Sequence, residues 1–186
     1  RDTVVALVGW AMSLEVRAME ENALIRVLLV EDNPDDAELI QASLEDIPGL
    51  RLKVEHAARL AGALERLPHA NFDVMLLDLS LPDSHGLTTV EKVRLRAPNL
   101  PIIILTGLND HSLAFEGARH GAHDYLVKGR TDGDMLSRSM RYAIERGRVE
   151  KELRAHRDHL EDLVERRTAD LRRNAESLQQ EIAQRI

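Results

Sequence analysis

The stretch Val74-Met75-Leu76-Leu77-Asp78-Leu79 predicts the centre of the fold, because a run of apolar residues leads directly into a carboxylate. The run is short and apolar on both faces, which is typical of a buried strand in a parallel sheet. A carboxylate at the end of such a strand is costly unless another group pairs with it. We therefore expect other parts of the chain to supply partners for Asp78.

The composition is that of a globular chain with a surplus of charge. Its 186 residues suffice for one domain with a good core and an extension. Apolar residues make up 44% and charged residues 31%, and the formal net charge of -7 argues against non-specific nucleic-acid binding, which needs a basic surface. Cys is absent, which excludes disulfides and zinc thiolates and fits a reducing compartment. We expect a cytoplasmic protein with no nucleic-acid partner.

Residues 1–23 are predicted to form a separate N-terminal extension with helical character. The sequence begins with Arg1, and an apolar run from Val4 to Met12 follows Asp2. That run is too short to cross a bilayer. We therefore expect no membrane partner.

Strand and helix patterns alternate five times along residues 24–147. This alternation predicts right-handed crossovers and an α/β fold, a doubly wound five-stranded parallel sheet with helices on both faces. Strands are predicted at 25–30, 52–54 (an edge strand), 72–77, 101–105 and 125–127, and helices are predicted to begin near 33, 60, 87, 110 and 132. Such folds bind ligands at the carboxyl ends of their strands.

Polar residues follow four of the five predicted strands. They are Glu31 and Asp32, Asp78, Thr106 and Lys128. Three carboxylates that converge at one edge of a sheet repel each other. A hard cation with oxygen ligands removes that conflict, and Mg²⁺ keeps several waters while it uses few carboxylates. The residues therefore predict a Mg²⁺ site.

The same edge carries groups that suit phosphoryl transfer. Lys128 supplies a positive charge and Thr106 a hydroxyl donor, which together with a metal suit an in-line transfer. The acceptor would be a carboxylate that becomes an aspartyl phosphate, and Asp78 is the best candidate because it ends the most apolar strand. The sequence has no P-loop or glycine-rich nucleotide loop, so a tightly held nucleotide is not the predicted donor.

Several motifs together resemble the receiver domain of two-component response regulators. They are Val30-Glu31-Asp32, Asp78 with Leu81-Pro82 and Gly86 after it, Thr106-Gly107, and Tyr125-Leu126-Val127-Lys128. Each alone is a common feature, such as a helix cap, a turn or a solvated lysine, whereas the set in this order is specific. The resemblance covers about residues 25–147 and implies a flavodoxin-like receiver domain over 24–147.

The resemblance also implies a role for each site residue. Asp78 resembles the phospho-acceptor, and Thr106 and Lys128 resemble the residues that contact the phosphoryl group. Asp32 resembles the direct Mg²⁺ ligand, with Glu31 acting mostly through water. The backbone carbonyl of Ser80 resembles a further metal ligand. Tyr125 resembles the aromatic switch residue of the family, which turns inward when the threonine hydroxyl moves to the phosphate.

The family takes its phosphoryl group from a histidine kinase or a phosphotransfer protein, so these are the implied partners. The resemblance implies a phosphorelay protein and not an enzyme, beyond its own phosphoryl acceptance and dephosphorylation. One departure concerns Gly129, which stands where the family usually has Pro, often after a cis peptide bond. Because a cis bond is costly without Pro, we expect a trans bond and a different loop.

The chain after Asp134 contains no Pro and one Gly, Gly147, and is predicted to remain helical to Ile186. Its apolar stripe consists of Leu153, Leu160, Leu163, Val164, Leu171, Ala175, Leu178 and Ile182, which fits heptads with a stutter. We predict that residues 148–186 form a signalling helix that pairs with a second copy as a parallel coiled coil. A single charged helix with i,i+4 ion pairs is the alternative.

The predicted function is phosphorelay signalling. The dimeric helix would relay the state of Asp78 to an output module, which we expect to lie outside this sequence. The alternative is a dimerisation scaffold that keeps the receiver fold without phosphorylation. The histidines His111, His120, His123, His156 and His159 lack ligand spacing or a kinase motif, and we interpret them as surface or core residues.

Overall fold

The computed structural model describes residues 24–45, 47, 49–107, 117 and 120–184, with side chains up to residue 173. The predicted extension at 1–23 and most of the helix predicted from 110 lie outside the described residues. The described strands are β1 (Leu24–Val30), β2 (Arg51–Ala57), β3 (Val74–Asp78), β4 (Ser80–Leu81), β5 (Ser84–His85), β6 (Ile102–Thr106) and β7 (Asp124–Val127). The described helices are α1 (Pro34–Glu45), α2 (Leu60–Arg66), α3 (Leu87–Arg96) and α4 (Gly133–Gln184).

The main sheet has five parallel strands in the order β2-β1-β3-β6-β7. Strand β3 lies at its centre, and all five residues of β3 are buried. Strand β2 lies at an edge and is only partly buried, as its alternating pattern predicts. The predicted α/β fold, with a five-stranded parallel sheet and a long C-terminal helix, is confirmed.

The apolar core lies on both faces of this sheet, because successive residues of a strand point to opposite sides. Met75 and Leu77 belong to one cluster, which includes residues of α2 and α3 such as Leu60 and Val93. A second cluster contains Val74 and Leu76 of β3, Ala37 and Leu44 of α1, and Leu136 and Met140 of α4. Helices therefore cover both faces, which explains why the apolar runs of the central strands do not alternate with polar residues.

The chain divides into two compact units, Arg1–Gly147 and Arg148–Ile186. Helix α4 begins at Gly133 in the first unit and ends at Gln184 in the second. The assignment of 1–23, 24–147 and 148–186 as functional domains stays a prediction. Among the described residues, no helix is both long enough and apolar enough to cross a membrane.

A two-stranded hairpin follows the central strand, in a segment for which the sequence predicted neither strand nor helix. Strands β4 and β5 pair antiparallel, with Ser80 opposite His85. The buried Ser84 Oγ accepts hydrogen bonds from Thr89 Oγ1 at 2.9 Å and from Lys92 Nζ at 3.1 Å. These contacts hold the hairpin against the first turns of α3.

Asp83, at the tip of the hairpin, caps helix α2. Its carboxylate accepts hydrogen bonds from the backbone N–H groups of Leu60 at 3.0 Å and Ala61 at 2.9 Å. The residue that precedes the helix, Arg59, makes no side-chain cap bond of its own. Burial opposes ionisation of Asp83, but the N–H groups of Ala61 and Leu60 outweigh it and hold the pKa of the carboxyl below its usual value. The cap therefore ties the chain after Asp78 to a helix more than twenty residues earlier.

Asp83→Ala is expected to lower the free energy of unfolding by about 1 kcal/mol at neutral pH, the usual effect of losing a cap. Because the pKa of this carboxyl is lower in the folded than in the unfolded protein, its stabilising effect is present above the unfolded pKa and is lost as pH falls through the folded pKa. Urea denaturation at neutral pH measures the loss of stability, and the same experiment below about pH 4 shows whether the difference between the two proteins disappears. Asp83→Asn, which keeps one acceptor oxygen, is the control and should lose less. Equal stability of Asp83→Ala and the wild type would contradict the cap.

Candidate functional site

The carboxyl ends of four parallel strands meet at one edge of the sheet. The register pairs Val30 with Leu77, so Glu31 follows β1 at the level of Asp78 on β3. Thr106 ends β6, and Lys128 directly follows β7. The structure thus brings together the residues that the sequence placed at the strand ends.

Three carboxylates form an acidic cluster at this edge. Ligand oxygens of Glu31, Asp32 and Asp78 all lie within 4.8 Å of one another. Glu31 is fully buried and Asp78 is 5% exposed, whereas Asp32 is exposed. Burial and the charge of Asp78 raise the pKa of Glu31, although contact with Lys128 lowers it in part.

The ammonium group of Lys128 lies among these carboxylates. Its Nζ is 2.6 Å from Glu31 Oε2 and 2.9 Å from Asp78 Oδ2. A third carboxylate oxygen, Oδ2 of Asp36 in the first turn of α1, is 3.3 Å away. Burial alone would lower the pKa of Lys128, but the contacts with Glu31 and Asp78 raise it above its usual value. The lysine therefore stays charged and offsets the repulsion between the buried acids.

The acidic cluster suits a hydrated divalent cation. Its donors are oxygens, the ligand type that Mg²⁺ prefers. Oxygens of all three carboxylates lie within 4.8 Å of one another, close enough to share one ion. Asp32 is exposed, so an ion can reach the cluster and keep part of its water shell. The residues therefore fit Mg²⁺.

A cavity of about 310 Å³ opens beside the carboxylate of Asp78. The described residues that line it are Asp78, Leu79, Ser80, His85, Gly86, Leu105 and Thr106. The backbone N–H of Ser80 donates to Asp78 Oδ1 at 3.1 Å, so the two oxygens of Asp78 have different partners. The buried hydroxyl of Thr106 donates to the carbonyl of Leu126 over a long 3.4 Å. The weakly held hydroxyl of Thr106 and the carboxylate of Asp78 thus line a space that is larger than a phosphoryl group.

Tyr125 lies on β7 with 41% of its surface exposed. Its backbone N–H donates to Asp124 Oδ1 at 2.8 Å, and Asp124 Oδ2 in turn accepts a hydrogen bond from Ser139 of α4 at 2.5 Å. The structure therefore shows the ring partly outward. The inward turn predicted for a switch residue stays a prediction.

Gly129 follows Lys128 in a conformation that proline cannot adopt. The peptide bond between Lys128 and Gly129 is trans, as the sequence predicts, and Gly129 has φ +74°. Proline is fixed near φ −65°, so it would require a different loop. The backbone N–H of Lys128 donates to the carbonyl of Thr106 at 2.8 Å, which fixes the start of this loop.

The sequence did not point to two groups near the site, Asp36 beside Lys128 and His85 on the wall of the cavity. The acidic first turn after β1 was the one sequence signal that could have indicated Asp36. The contact of Asp36 depends on the position of Lys128, which lies 92 residues later. The histidines interpreted as surface or core fit the structure where it describes them: His120, His156 and His159 are exposed, and His123 Nδ1 accepts from the N–H of Ile102 at 3.3 Å.

A family model described as the response regulator receiver domain matches residues 27–139, which is more than half of the chain. This range begins in β1 and ends in the first turns of α4, so it contains every residue of the site.

Two curated relatives are regulatory proteins. The chain is similar to the probable C4-dicarboxylate response regulator DctR of Halalkalibacterium halodurans, 29% identical over 151 residues, which covers 81% of this chain and 65% of that protein. It is also similar to the transcriptional regulatory protein AruR of Pseudomonas aeruginosa, 32% identical over 154 residues, with coverage of 78% and 63%. The chain thus spans less than two thirds of the length of either regulator.

A solved structure of a response regulator is also similar to this chain. A putative response regulator from Chloroflexus aurantiacus is 28% identical, with a TM-score of 0.57, and the match covers 65% of this chain and 98% of that one.

Gly129→Ala is expected to lower the free energy of unfolding by about 1–2 kcal/mol, because a residue with a Cβ is strained at positive φ. No atom lies within 4 Å of the added Cβ, so the cost is that of the backbone alone. Gly62→Ala is the matched control: it also meets open space, but it lies inside α2, where Ala favours the helix by about 1 kcal/mol. Chemical denaturation should show opposite signs for the two variants, and a Gly129→Ala protein as stable as the wild type would contradict this loop.

Proposed function

This chain belongs to the response regulator receiver family, and on that premise we propose that Asp78 is its phosphoryl acceptor. Receiver domains act in two-component phosphorelays and take phosphoryl groups from histidine kinases or phosphotransfer proteins. The observation that carries the proposal is the setting of Asp78: a buried carboxylate, 2.9 Å from Lys128 Nζ, on the wall of a cavity shared with Thr106.

In the proposed reaction a carboxylate oxygen of Asp78 attacks the phosphorus of the donor. The new bond joins that oxygen to phosphorus, and the bond between phosphorus and the donor's leaving atom breaks. Lys128 donates to a phosphoryl oxygen and so balances the negative charge of the transferred group. Thr106 can donate to a second oxygen by giving up its long bond to Leu126.

Mg²⁺ is the proposed cofactor. Glu31, Asp32 and Asp78, with the backbone carbonyl of Ser80, would hold it. When bound, it neutralises charge on the transferred group and makes the approach of an anion to three carboxylates possible.

Phosphorylation is proposed to change the surface around Tyr125. When the Thr106 hydroxyl leaves the carbonyl of Leu126 for the phosphate, it opens space beside β7. Tyr125, which is 41% exposed, directly precedes Leu126 on that strand. This movement would convert the chemical state of Asp78 into a change of shape.

Acetyl phosphate with Mg²⁺ should add one phosphoryl group to the wild-type protein, detected by intact mass. Asp78→Asn removes the nucleophilic oxygen and keeps the shape, so it should gain none. Wild-type protein that stays unmodified, or Asp78→Asn that is modified equally, would contradict the proposal. An unmodified wild type with an unchanged oligomeric state would instead favour the phosphorylation-independent scaffold.

The second unit is proposed to relay the signal as a parallel coiled coil with a second copy of the chain. Its helix leaves a stripe of large apolar side chains exposed: Leu153 (69%), Leu160 (58%), Leu163 (47%), Val164 (64%) and Leu171 (67%). Apolar residues at this spacing are typical of a helix that buries its stripe against another helix.

Ion pairs along the same helix support the alternative of a single charged helix. Arg148–Glu152, Arg157–Glu161 and Arg166–Asp162 are i,i+4 pairs with N···O distances of 3.5–3.9 Å. Exposed pairs of this kind each contribute little to the stability of a helix, because solvent and salt screen them. These pairs stabilise the helix but leave the apolar stripe uncovered, so we favour the coiled coil.

Leu171→Cys is expected to form a disulfide between two chains under mild oxidation, because equivalent stripe positions face each other in a parallel pair. The chain has no other cysteine to interfere. Arg173→Cys lies two residues away on the opposite side of the helix and is the matched control, which should cross-link poorly. Non-reducing electrophoresis measures both. Equal cross-linking of the two variants, or none in either, would favour the single helix.

A further inference from the structure

Lys128 has one partner that the proposed chemistry does not require. Three carboxylate oxygens surround its ammonium group: Glu31 Oε2 at 2.6 Å, Asp78 Oδ2 at 2.9 Å and Asp36 Oδ2 at 3.3 Å. Glu31 and Asp78 belong to the acidic cluster, whereas Asp36 lies on α1 outside that cluster. The third contact therefore needs its own explanation.

The contacts differ in how easily they can be broken. The side chains of Glu31 and Asp78 are 0% and 7% exposed, so removing the lysine would leave buried charges without a partner. The side chain of Asp36 is 34% exposed and its contact is the longest of the three. An acid in the first turn of a helix is also stabilised by the helix dipole and by water. Asp36 is therefore the partner that Lys128 can leave at the lowest cost.

When Asp78 carries a phosphoryl group, its side chain no longer bears a carboxylate charge, so a phosphoryl oxygen takes over its contact with Lys128. Glu31 and Asp36 remain as charged partners of the same ammonium group. Glu31 is buried and cannot be left unpaired without a large penalty, so Asp36 is the dispensable carboxylate that competes with the phosphoryl oxygen for Lys128.

We propose that Asp36 is a positioning residue that competes with the phosphoryl group for Lys128 and thereby weakens the hold of the site on that group. The inference rests on the proposed function, because it assumes that a phosphoryl group reaches Lys128. Asp36 acts through the lysine, which it contacts at 3.3 Å, and it is not one of the three carboxylates of the acidic cluster.

Beryllofluoride, which mimics a phosphoryl group on a carboxylate, provides the test in the presence of Mg²⁺. Asp36→Asn keeps the size of the side chain and removes its charge, so we expect calorimetry to show beryllofluoride binding tighter by roughly two- to fivefold, the range of a partly exposed ion pair. Asp36→Glu keeps a carboxylate that can reach the lysine and should bind like the wild type.

Asp35→Asn is the matched control, because it makes the same charge change one residue earlier, at an exposed position of the same turn. Removing either charge should strengthen anion binding slightly and weaken Mg²⁺ binding slightly, through long-range electrostatics alone. Mg²⁺ affinity measured without beryllofluoride should therefore shift equally in the two variants. Only Asp36→Asn should show the additional gain for beryllofluoride.

The outcomes separate this inference from the proposed function. A wild-type protein that binds no beryllofluoride would overturn both. A wild type that binds, with Asp36→Asn equal to Asp35→Asn or weaker, would overturn only the competition. An Asp36→Glu protein that behaves like Asp36→Asn would also overturn it, because the effect would then come from a disturbed helix and not from the carboxylate.

Discussion

The ion pairs of Lys128 are the interaction on which the site depends. Glu31 and Asp78 end neighbouring parallel strands, and two buried carboxylates in that position repel each other. Lys128 follows β7, which lies two strands beyond β3 in the sheet. Its Nζ is 2.6 Å from Glu31 Oε2 and 2.9 Å from Asp78 Oδ2. Truncation of the lysine would leave both charges buried and uncompensated. The same ammonium group is suited to donate to a phosphoryl oxygen on Asp78, so the residue that stabilises the resting site also serves its proposed chemistry.

The core of the domain determines where these charges lie. Strand β3 is buried along its whole length, and Asp78 is its one polar residue. Apolar contacts on both faces of the sheet fix the register that sets Glu31 and Asp78 side by side. The cap from Asp83 to α2 then holds the chain that leaves Asp78. Packing outside the site thus holds together charged groups that are far apart in sequence. Without that packing, repulsion between the carboxylates would push them apart.

The parts of this arrangement that depend on pattern were predictable. Apolar runs followed by polar residues predict the five strands and place Glu31, Asp32, Asp78, Thr106 and Lys128 at one edge. Contacts that depend on three-dimensional distance were not predictable. Asp36 lies on a helix whose acidic first turn has an ordinary explanation, and Asp83 reads as a turn residue although it caps a distant helix. The short hairpin that carries His85 has too few residues to give a strand pattern.

The decisive experiment is a crystal structure of the protein with Mg²⁺ and beryllofluoride. We expect the beryllofluoride on a carboxylate oxygen of Asp78, with Lys128 Nζ donating to a fluoride and still paired with Glu31. A complex in which Lys128 keeps all three of its carboxylates, while the beryllofluoride lies elsewhere, would contradict it.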